Sequence, residues 1–263
     1  MAQAPRLPQR LWQTVLRGAV LMLVCVAPAM GAPVEVCIDG RDGRIARVCY
    51  VNATGAAPYG HGVLGATPEW EALRVVGAGA GQSPSAFSEP QHIFEDIAPR
   101  LVDLDRDGHD EIVAVQSSFS RGARLAVFEF DADGDIQLLS ATPYIGTRNR
   151  WLAPIGAADL DGDGHVEIAY IDRPHLAKRL RIWRFRDGML QHVADASGLT
   201  NHRIGEDFIT SGIRDCGDGP EMLMADAGWR QVLAVHFDKG SVEYRAIERF
   251  RNAEQVANLL ACP

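Results

Sequence analysis

Two short acidic stretches, whose first residues are 56 positions apart, carry side chains suited to holding a cation. The first is DLDRDGHDEIVA from Asp103 to Ala114, and the second is DLDGDGHVEIAY from Asp159 to Tyr170. Each has aspartates at positions 1, 3 and 5, a glycine at position 6 and a glutamate at position 9. Like charges at this density repel one another unless a positive charge lies among them. The pattern therefore predicts two cation sites.

Calcium is the cation that this pattern favours. Alternating acids in a turning loop direct their oxygens into one cavity, and the carbonyl at position 7 can join them. Ca²⁺ takes roughly six to eight oxygen ligands and suits this cage better than the smaller, octahedral Mg²⁺. With both histidines acting through their backbone carbonyls, the expected ligands are Asp103, Asp105, Asp107, His109 and Glu111 in one loop and Asp159, Asp161, Asp163, His165 and Glu167 in the other.

Both loops lie between strands rather than between helices. An EF-hand needs a glutamate at position 12, where this chain has Ala114 and Tyr170. The runs EIVAV and EIAYI after the loops are short, apolar and β-branched, which is typical of strands. The alternative that these are metal-free Asp-Gly turns remains open, although two copies in one register argue against it. By contrast, DADGD at residues 131–135 has no returning acid and is interpreted as a hairpin turn.

The acidic loops belong to a longer repeat. RLAVFEF (Arg124–Phe130) follows the first loop and RLRIWRF (Arg179–Phe185) follows the second. A third unit has DCGDGPE (Asp215–Glu221) and then VLAVHF, and the three returning glutamates are separated by 56 and 54 residues. Cys216 and Gly217 stand where ligands would be, so we expect the third loop to lack a metal. We interpret Tyr59–Val75, with Glu69 in the returning position, as a degenerate first loop.

A period near 55 residues built from short strands and turns matches one four-stranded propeller blade. We therefore expect an all-β fold, a β-propeller of about four to five blades, with a calcium-bound β-sandwich as the alternative. Each blade would run strand, acidic loop, strand, longer loop and hairpin pair.

The two acidic loops resemble the FG-GAP/VCBS repeat, the calcium-loop blade of integrin-α-type propellers and of many exported bacterial proteins. Weaker similarity extends over residues 59–250 through HGVLG, FEDIAPRL, GTRNRWLAP and DCGDGPE. The resemblance implies a propeller with the two ligand sets named above, and the third loop departs from it. It does not imply an activity, because such propellers serve adhesion, recognition and scaffolding and also stand beside catalytic modules.

The N-terminus has the pattern of a secretory signal peptide over residues 1–32. Arg6, Arg10 and Arg17 precede an apolar stretch and then the small residues APAMGAP. An apolar stretch of about twelve residues is shorter than the roughly 20 that a membrane span needs, which argues against the alternative of an anchor. We expect a periplasmic or secreted protein whose propeller domain covers residues 33–263.

Removing residues 1–32 takes the formal charge from −8 to −11, with 23 basic and 34 acidic residues remaining. A nucleic-acid partner is therefore not expected, because phosphate binding needs a basic surface. The four remaining cysteines predict two disulfides in an exported chain. Of the three possible pairings we favour Cys37–Cys49, across a hairpin, and Cys216–Cys262.

The face opposite the acidic loops is the expected recognition surface. Strand direction alternates in a blade, so the loops after the outgoing strands and the segments between blades should meet there. Aromatic rings among charged and amide groups suit a glycan or a protein ligand. The residues gathered there would be Asp96, Arg148, Asn149, Arg150, Trp151, Asp172, Arg173, His175, Asn201, His202, Arg203, Asp207 and Trp229.

We expect a binding, adhesion or scaffold module without catalytic residues. The alternative is a small secreted polysaccharide hydrolase or lyase that uses the non-calcium face. His175, His202, Asp172 and Asp207 could form an acid/base pair there if the fold brings them together. No nucleophile elbow, zinc-protease motif or phosphate loop occurs in the chain.

Overall fold

The computed structural model of the protein describes Met1 and residues 35–54, 58–79 and 82–262. Apart from Met1, the expected signal peptide lies outside the described residues. The described part contains 18 strands and one short helix, which confirms the all-β class. Among these residues, no helix combines the length and the apolar character needed to cross a bilayer.

The strands fall into an N-terminal group and three repeats. The N-terminal group comprises β1 (Glu35–Asp39), β2 (Ile45–Thr54), β3 (Glu69–Gly77) and β4 (Ser85–Phe87). The first repeat comprises β5 (His92–Phe94), β6 (Arg100–Val102), β7 (Glu111–Ser118), β8 (Gly122–Phe130) and β9 (Ile136–Ala141). The second repeat comprises β10 (Leu152–Ala158), β11 (Glu167–Asp172), β12 (Arg179–Arg186) and β13 (Met189–Ser197). The third comprises β14 (Leu199–Thr200), β15 (Gly212–Asp215), β16 (Pro220–Asp226), β17 (Gln231–Asp238) and β18 (Ser241–Arg249), followed by helix α1 (Ala253–Leu260).

All three repeats share the predicted order. The second is a four-stranded antiparallel meander, β10-β11-β12-β13, with the acidic loop between its first two strands. In the first and third repeats the innermost strand is interrupted, so β5 and β6 both pair with β7, and β14 and β15 both pair with β16. The DADGD segment forms the β8–β9 hairpin turn, as predicted.

Each repeat sheet is packed on both faces, which explains the uninterrupted apolar runs in the sequence. In β7, Ile112 and Ala114 face the N-terminal strands, whereas Val113 and Val115 face the second repeat. Between the second and third repeats, β11 and β16 contribute alternate residues to a further apolar layer. The repeats therefore stack as blades around shared cores, as the β-propeller prediction requires.

The two ends of this stack are finished differently. The N-terminal strands are hydrogen-bonded into the first repeat, because β5 pairs with both β3 and β7. At the other end, α1 covers the outer face of the third repeat through Val256, which packs with Leu223 and Val232. With the N-terminal group, the described chain holds four strand groups, the lower end of the predicted number.

Both predicted disulfides are present. Cys37 and Cys49 are directly opposite each other in the β1–β2 hairpin. Cys216, in the shortened third loop, is bonded to Cys262, two residues beyond the end of α1. The second bond therefore ties the covering helix to the end of the sheet that it protects.

Loss of the Cys216–Cys262 disulfide should lower the free energy of unfolding by about 2–4 kcal/mol, because the bond closes a loop of 46 residues in the unfolded chain. Urea unfolding of the Cys216→Ser/Cys262→Ser double variant would measure this loss. The Cys37→Ser/Cys49→Ser pair is the matched control, since its span of 12 residues predicts a smaller loss. An equal or larger loss in the control would contradict the loop-length explanation.

Candidate metal loops and the opposite pocket

The first acidic loop, residues 103–111, brings three of its four predicted carboxylate ligands together. Side-chain oxygens of Asp103, Asp105 and Glu111 lie within 4.8 Å of one another. Backbone amides order the loop, since Gly108 N donates to Asp103 Oδ2 at 3.0 Å and Leu104 N donates to Glu111 Oε2 at 2.8 Å. Gly108 at position 6 has φ +91°, a conformation that favours glycine.

The second loop, residues 159–167, repeats these contacts. Oxygens of Asp159, Asp161 and Glu167 lie within 4.8 Å of one another, and Leu160 N donates to Glu167 Oε2 at 2.8 Å. Asp107 in the first loop and Asp163 in the second are exposed and accept the amides of His109 and His165. The aspartates at position 5 thus order the turn at the rim of each cluster.

The oxygen donors of both loops are of the type that calcium binds, although arginine side chains also contact the carboxylates of the second loop. Asp103 Oδ1, Asp159 Oδ1 and Asp161 Oδ1 are buried oxygens without a hydrogen-bond partner. Burial without a partner disfavours a carboxylate oxygen, and a hard cation is the group that such oxygens coordinate best. The donor sets, all oxygen and rich in carboxylate, therefore suit the ion expected from the sequence.

The returning glutamates differ in their electrostatic surroundings. Burial raises the pKa of Glu111 to about 7, and the charges of Asp105, Asp107 and Asp103 add to this effect. Burial also raises the pKa of Glu167, but hydrogen bonding to Arg184 opposes it. For Glu221 in the third repeat, burial is outweighed by Arg214 and neighbouring cations, so the pKa is lowered.

The acidic loops and the candidate recognition surface lie at opposite ends of the strands. In the second repeat, Ala158 pairs with Glu167 beside the acidic loop, and Leu152 pairs with Asp172 at the other end. Six residues of β-strand span roughly 20 Å. The loop ends and the pocket described next are therefore separate sites on one rigid sheet.

A pocket of about 320 Å³ opens at the end away from the acidic loops. Its apolar wall includes Val63, Leu176 and Ile204, of which Leu176 is 65% and Ile204 72% exposed. Its polar lining consists of His61, Asn149, Arg150, Arg173 and His175. The volume is in the range typical of small-ligand and side-chain pockets.

Two histidines on this face form an ordered hydrogen-bond chain. His202 Nε2 lies 2.9 Å from the carbonyl of Glu206, which can only accept, so Nε2 carries the proton. His175 Nε2 then donates to His202 Nδ1 at 2.9 Å. Burial lowers the pKa of His175 to about 4, assisted by the nearby His202 and His61, and burial also lowers that of His202. Both rings are therefore neutral at physiological pH.

The fold gathers only part of the predicted surface into the pocket. Asn149, Arg150, Trp151, Arg173 and His175 line it. Of the two tryptophans predicted for this surface, Trp151 is 2% exposed, and Arg203 covers a face of Trp229 at 4.2 Å from the ring centroid.

The carboxylates suggested as acid/base partners lie in other surroundings. Asp172 is paired with Arg173 and Arg181 rather than with a histidine. Asp207 is exposed beside Glu206 and Phe208.

Sequence reasoning missed His61, Val63 and the buried Glu95. His61 Nδ1 lies 2.5 Å from Glu95 Oε1, and Ser117 Oγ donates to Glu95 Oε2 at 2.6 Å. The sequence predicts a degenerate metal loop for the segment containing His61 and Val63, because Glu69 follows it. Glu69 does accept the amides of Gly60 and His61, but the segment packs with the cores of the first two repeats. Only its tertiary position places it at the pocket.

Stacked four-stranded blades, each entered through an acidic or degenerate acidic loop, define a repeat β-propeller class. The family model described as FG-GAP-like repeat matches residues 103–170, a span that starts at the first loop and ends just after the second. Residues 103–170 therefore carry FG-GAP-like repeat sequence, and the resemblance predicted from the sequence is confirmed over that span.

Among solved structures, a crystal structure of a protein from Lactobacillus plantarum is similar over 76% of this chain at 11% identity, with a TM-score of 0.41. The match covers 52% of that chain, so this chain spans about half of its length. A comparison with curated proteins found no match.

The neutral state of His175 predicts an acid-sensitive fold. An unfolded histidine binds a proton below pH 6.5, whereas folded His175 resists protonation down to a pH of about 4. The free energy of unfolding should therefore fall as the pH drops through this window, by on the order of 1 kcal/mol from this residue. Urea titrations of the wild type and of His175→Asn at pH 7 and pH 5 would test this, and an unchanged pH dependence in the variant would contradict it.

Proposed function

We propose that the protein is an exported, calcium-stabilised propeller that binds a protein partner and has no catalytic activity of its own. The observation that carries this proposal is the pocket at the end opposite the acidic loops. It combines exposed aliphatic side chains with an arginine that forms no ion pair among the described residues. The acidic loops would keep the blades that form this pocket in place.

The composition of the pocket favours a protein rather than a glycan. Sugars bind proteins largely by stacking on exposed aromatic faces, and the nearby Trp151 and Trp229 are covered. The exposed groups are instead aliphatic, Leu176 and Ile204, which suit an inserted apolar side chain. A peptide segment with an apolar anchor therefore fits better than a saccharide.

The charged side chains at the pocket also indicate which kind of peptide would bind. Arg173 is held by Asp172, but in the described part of the chain no carboxylate lies within 4.0 Å of the Arg150 guanidinium. The Arg150 guanidinium donates to the carbonyl of Asn149 at 2.9 Å. On a protein with a net negative charge, an arginine without an acidic partner beside an apolar pocket suits a ligand with a carboxylate next to its apolar anchor.

Export is supported by the chemistry of the cysteines. All four cysteines after the N-terminal segment are paired in disulfides, which persist in oxidising compartments such as the periplasm or the extracellular space. The basic-then-apolar pattern of residues 1–32 supports the same location.

A polysaccharide hydrolase or lyase is the second candidate, and the His61–Glu95 pair at the pocket is the observation that favours it. A glycosidase needs two carboxyl groups flanking the bond. Glu95 is 2% exposed and is held by His61 and Ser117, while Asp172 is neutralised by two arginines. This second function therefore has less support, and turnover in a panel of polysaccharide substrates would establish it.

Calcium should stabilise the protein at the first loop. Saturating calcium is expected to raise the melting temperature by about 5–10 °C over that in EDTA, because the ion binds only the folded loop. Asp103→Asn should abolish most of this difference by removing a ligand. Asp131→Asn, in the metal-free hairpin turn, is the control that should retain it. Equal melting curves of the wild type in calcium and in EDTA would contradict the proposal that calcium stabilises the protein.

The pocket should select acidic peptides with an apolar anchor. A phage-displayed peptide library panned on the wild-type protein is expected to yield such sequences, with binding reduced at least about tenfold by Ile204→Asp or Arg150→Glu. Tyr244→Asp changes another exposed large hydrophobic residue, on β18 and outside the pocket, and should leave binding unchanged. Peptides that bind all four proteins alike would show that the pocket is not the site, and enrichment on a glycan array would favour the sugar alternative.

A further inference from the structure

The second acidic loop already contains positive charge. One guanidinium, that of Arg184, contacts three of its four carboxylates: Nε is 2.5 Å from Glu167 Oε1, Nη2 is 2.7 Å from Asp161 Oδ2 and Nη1 is 2.7 Å from Asp163 Oδ2. An arginine side chain presents five donors in a plane and stays protonated at any physiological pH. It therefore provides a permanent cation within the predicted calcium cage.

The fourth carboxylate of this loop also has a partner. Arg106, at position 4 of the first loop, reaches across to the second loop, with Nη2 2.9 Å from Asp159 Oδ2. Arginines thus contact all four acidic side chains that would hold the ion. Arg106 is half exposed, so Arg184, whose side chain is only 18% exposed, is the stronger of the two partners.

Backbone register sets the position of Arg184. In the β11–β12 ladder, Glu167 and Arg184 are directly opposite each other, so their side chains share one face of the sheet. The guanidinium also lies over the ring of Phe237 in the third repeat, 6.0 Å from its centroid. The contact with Glu167 thus follows from strand pairing and not from one side-chain rotamer alone.

The first loop has no comparable cation. Ile112 pairs with Phe128 in the β7–β8 ladder, so Glu129 takes the place opposite Glu111 that Arg184 takes opposite Glu167. Within the described ranges, no lysine or arginine lies within 4.0 Å of the acidic side chains of residues 103–111. Two loops with nearly the same sequence therefore differ in how far their negative charge is neutralised by the protein itself.

In the third repeat, cationic side chains take the place of a bound ion most completely. Glu221, the returning glutamate, is contacted by Arg214, by Arg245 at 3.0 Å and by His236 at 2.9 Å. His236 occupies the position equivalent to Glu129 and Arg184, since Met222 pairs with Val235. Its loop has also lost the aspartates at positions 3 and 5. The acidic loop of the first repeat thus has no arginine partner, and that of the second is intact but contacted by arginine. The loop of the third repeat is degenerate, and its glutamate is contacted by arginine.

We propose that Arg184, assisted by Arg106, acts as the internal cation of the second loop and replaces calcium there. Calcium then binds tightly at the first loop only, a conclusion that rests on the proposed function for that loop. To enter the second loop, Ca²⁺ must displace a guanidinium that makes two charge-assisted hydrogen bonds and a further ion pair, and the displaced charge would then face the ion. The junction of the second and third repeats stays neutralised at any calcium concentration.

Calorimetric titration of the full chain with calcium alone tests this assignment. The wild type should bind one calcium tightly, and Arg184→Gln should gain a second site at least about tenfold tighter than any second site of the wild type. Arg186→Gln is the matched control, because Arg186 lies on the same strand but is 55% exposed, and its ion pair among the described residues is with Asp187, outside the acidic loop. Two equally tight sites in the wild type, or no added calcium binding in Arg184→Gln, would overturn the proposal.

The reciprocal substitution keeps the proposal testable if Arg184→Gln fails to fold. Glu129→Arg places a guanidinium opposite Glu111 and should weaken calcium binding at the first loop at least about tenfold while preserving the melting temperature in EDTA. Unchanged calcium affinity in this variant would contradict the replacement mechanism. Absence of calcium binding in the wild type together with a new site in Arg184→Gln would refute calcium at the first loop but support the inference about the second.

Discussion

The constraint on which the rest of the structure depends is the buried glutamate at the start of the second strand of each repeat. Glu111 and Glu167 are 5% and 0% exposed, and each accepts the backbone amide of the leucine seven residues before it. That hydrogen bond closes the loop and sets the direction of the outgoing strand. It leaves a buried negative charge that the fold must neutralise.

The repeats neutralise this charge in different ways. The group that neutralises it also determines which contacts connect neighbouring blades. Arg184 connects the second loop to the third repeat through Phe237, and Lys239 N of the β17–β18 turn donates to Asp161 at 3.2 Å. In the third repeat, Arg214 contacts Glu221 and also the carbonyl of Leu259 in α1. Arg184 and Arg214 thus connect a loop to a neighbouring element and also balance its charge. A bound ion can fill the same role in the first loop.

Both faces of each repeat sheet are buried, so residues in the strand interiors are structural and functional residues lie at the strand ends. Since the strand interiors of β7, β11 and β16 are occupied by packing, chemistry is confined to the two ends of the strands. One end carries the charged loops and the other carries the pocket. The same strands connect the two ends, which lie roughly 20 Å apart. Mutations at one end can therefore change the charge of the loops without changing ligand binding at the other end.

Local patterns in the sequence determined the strands, the acidic loops, the β8–β9 turn and both disulfide pairings, because each depends on residues close together in the chain or on a small number of cysteines. The tertiary structure decided the rest. Arg184 lies 17 residues from Glu167, and Arg106 lies 53 residues from Asp159, so only strand register and blade stacking show that they share a loop. The same is true of His61 at the pocket and of α1 over the third repeat. Local periodicity specifies which way a side chain points, whereas its charge partner depends on which segments the fold places beside it.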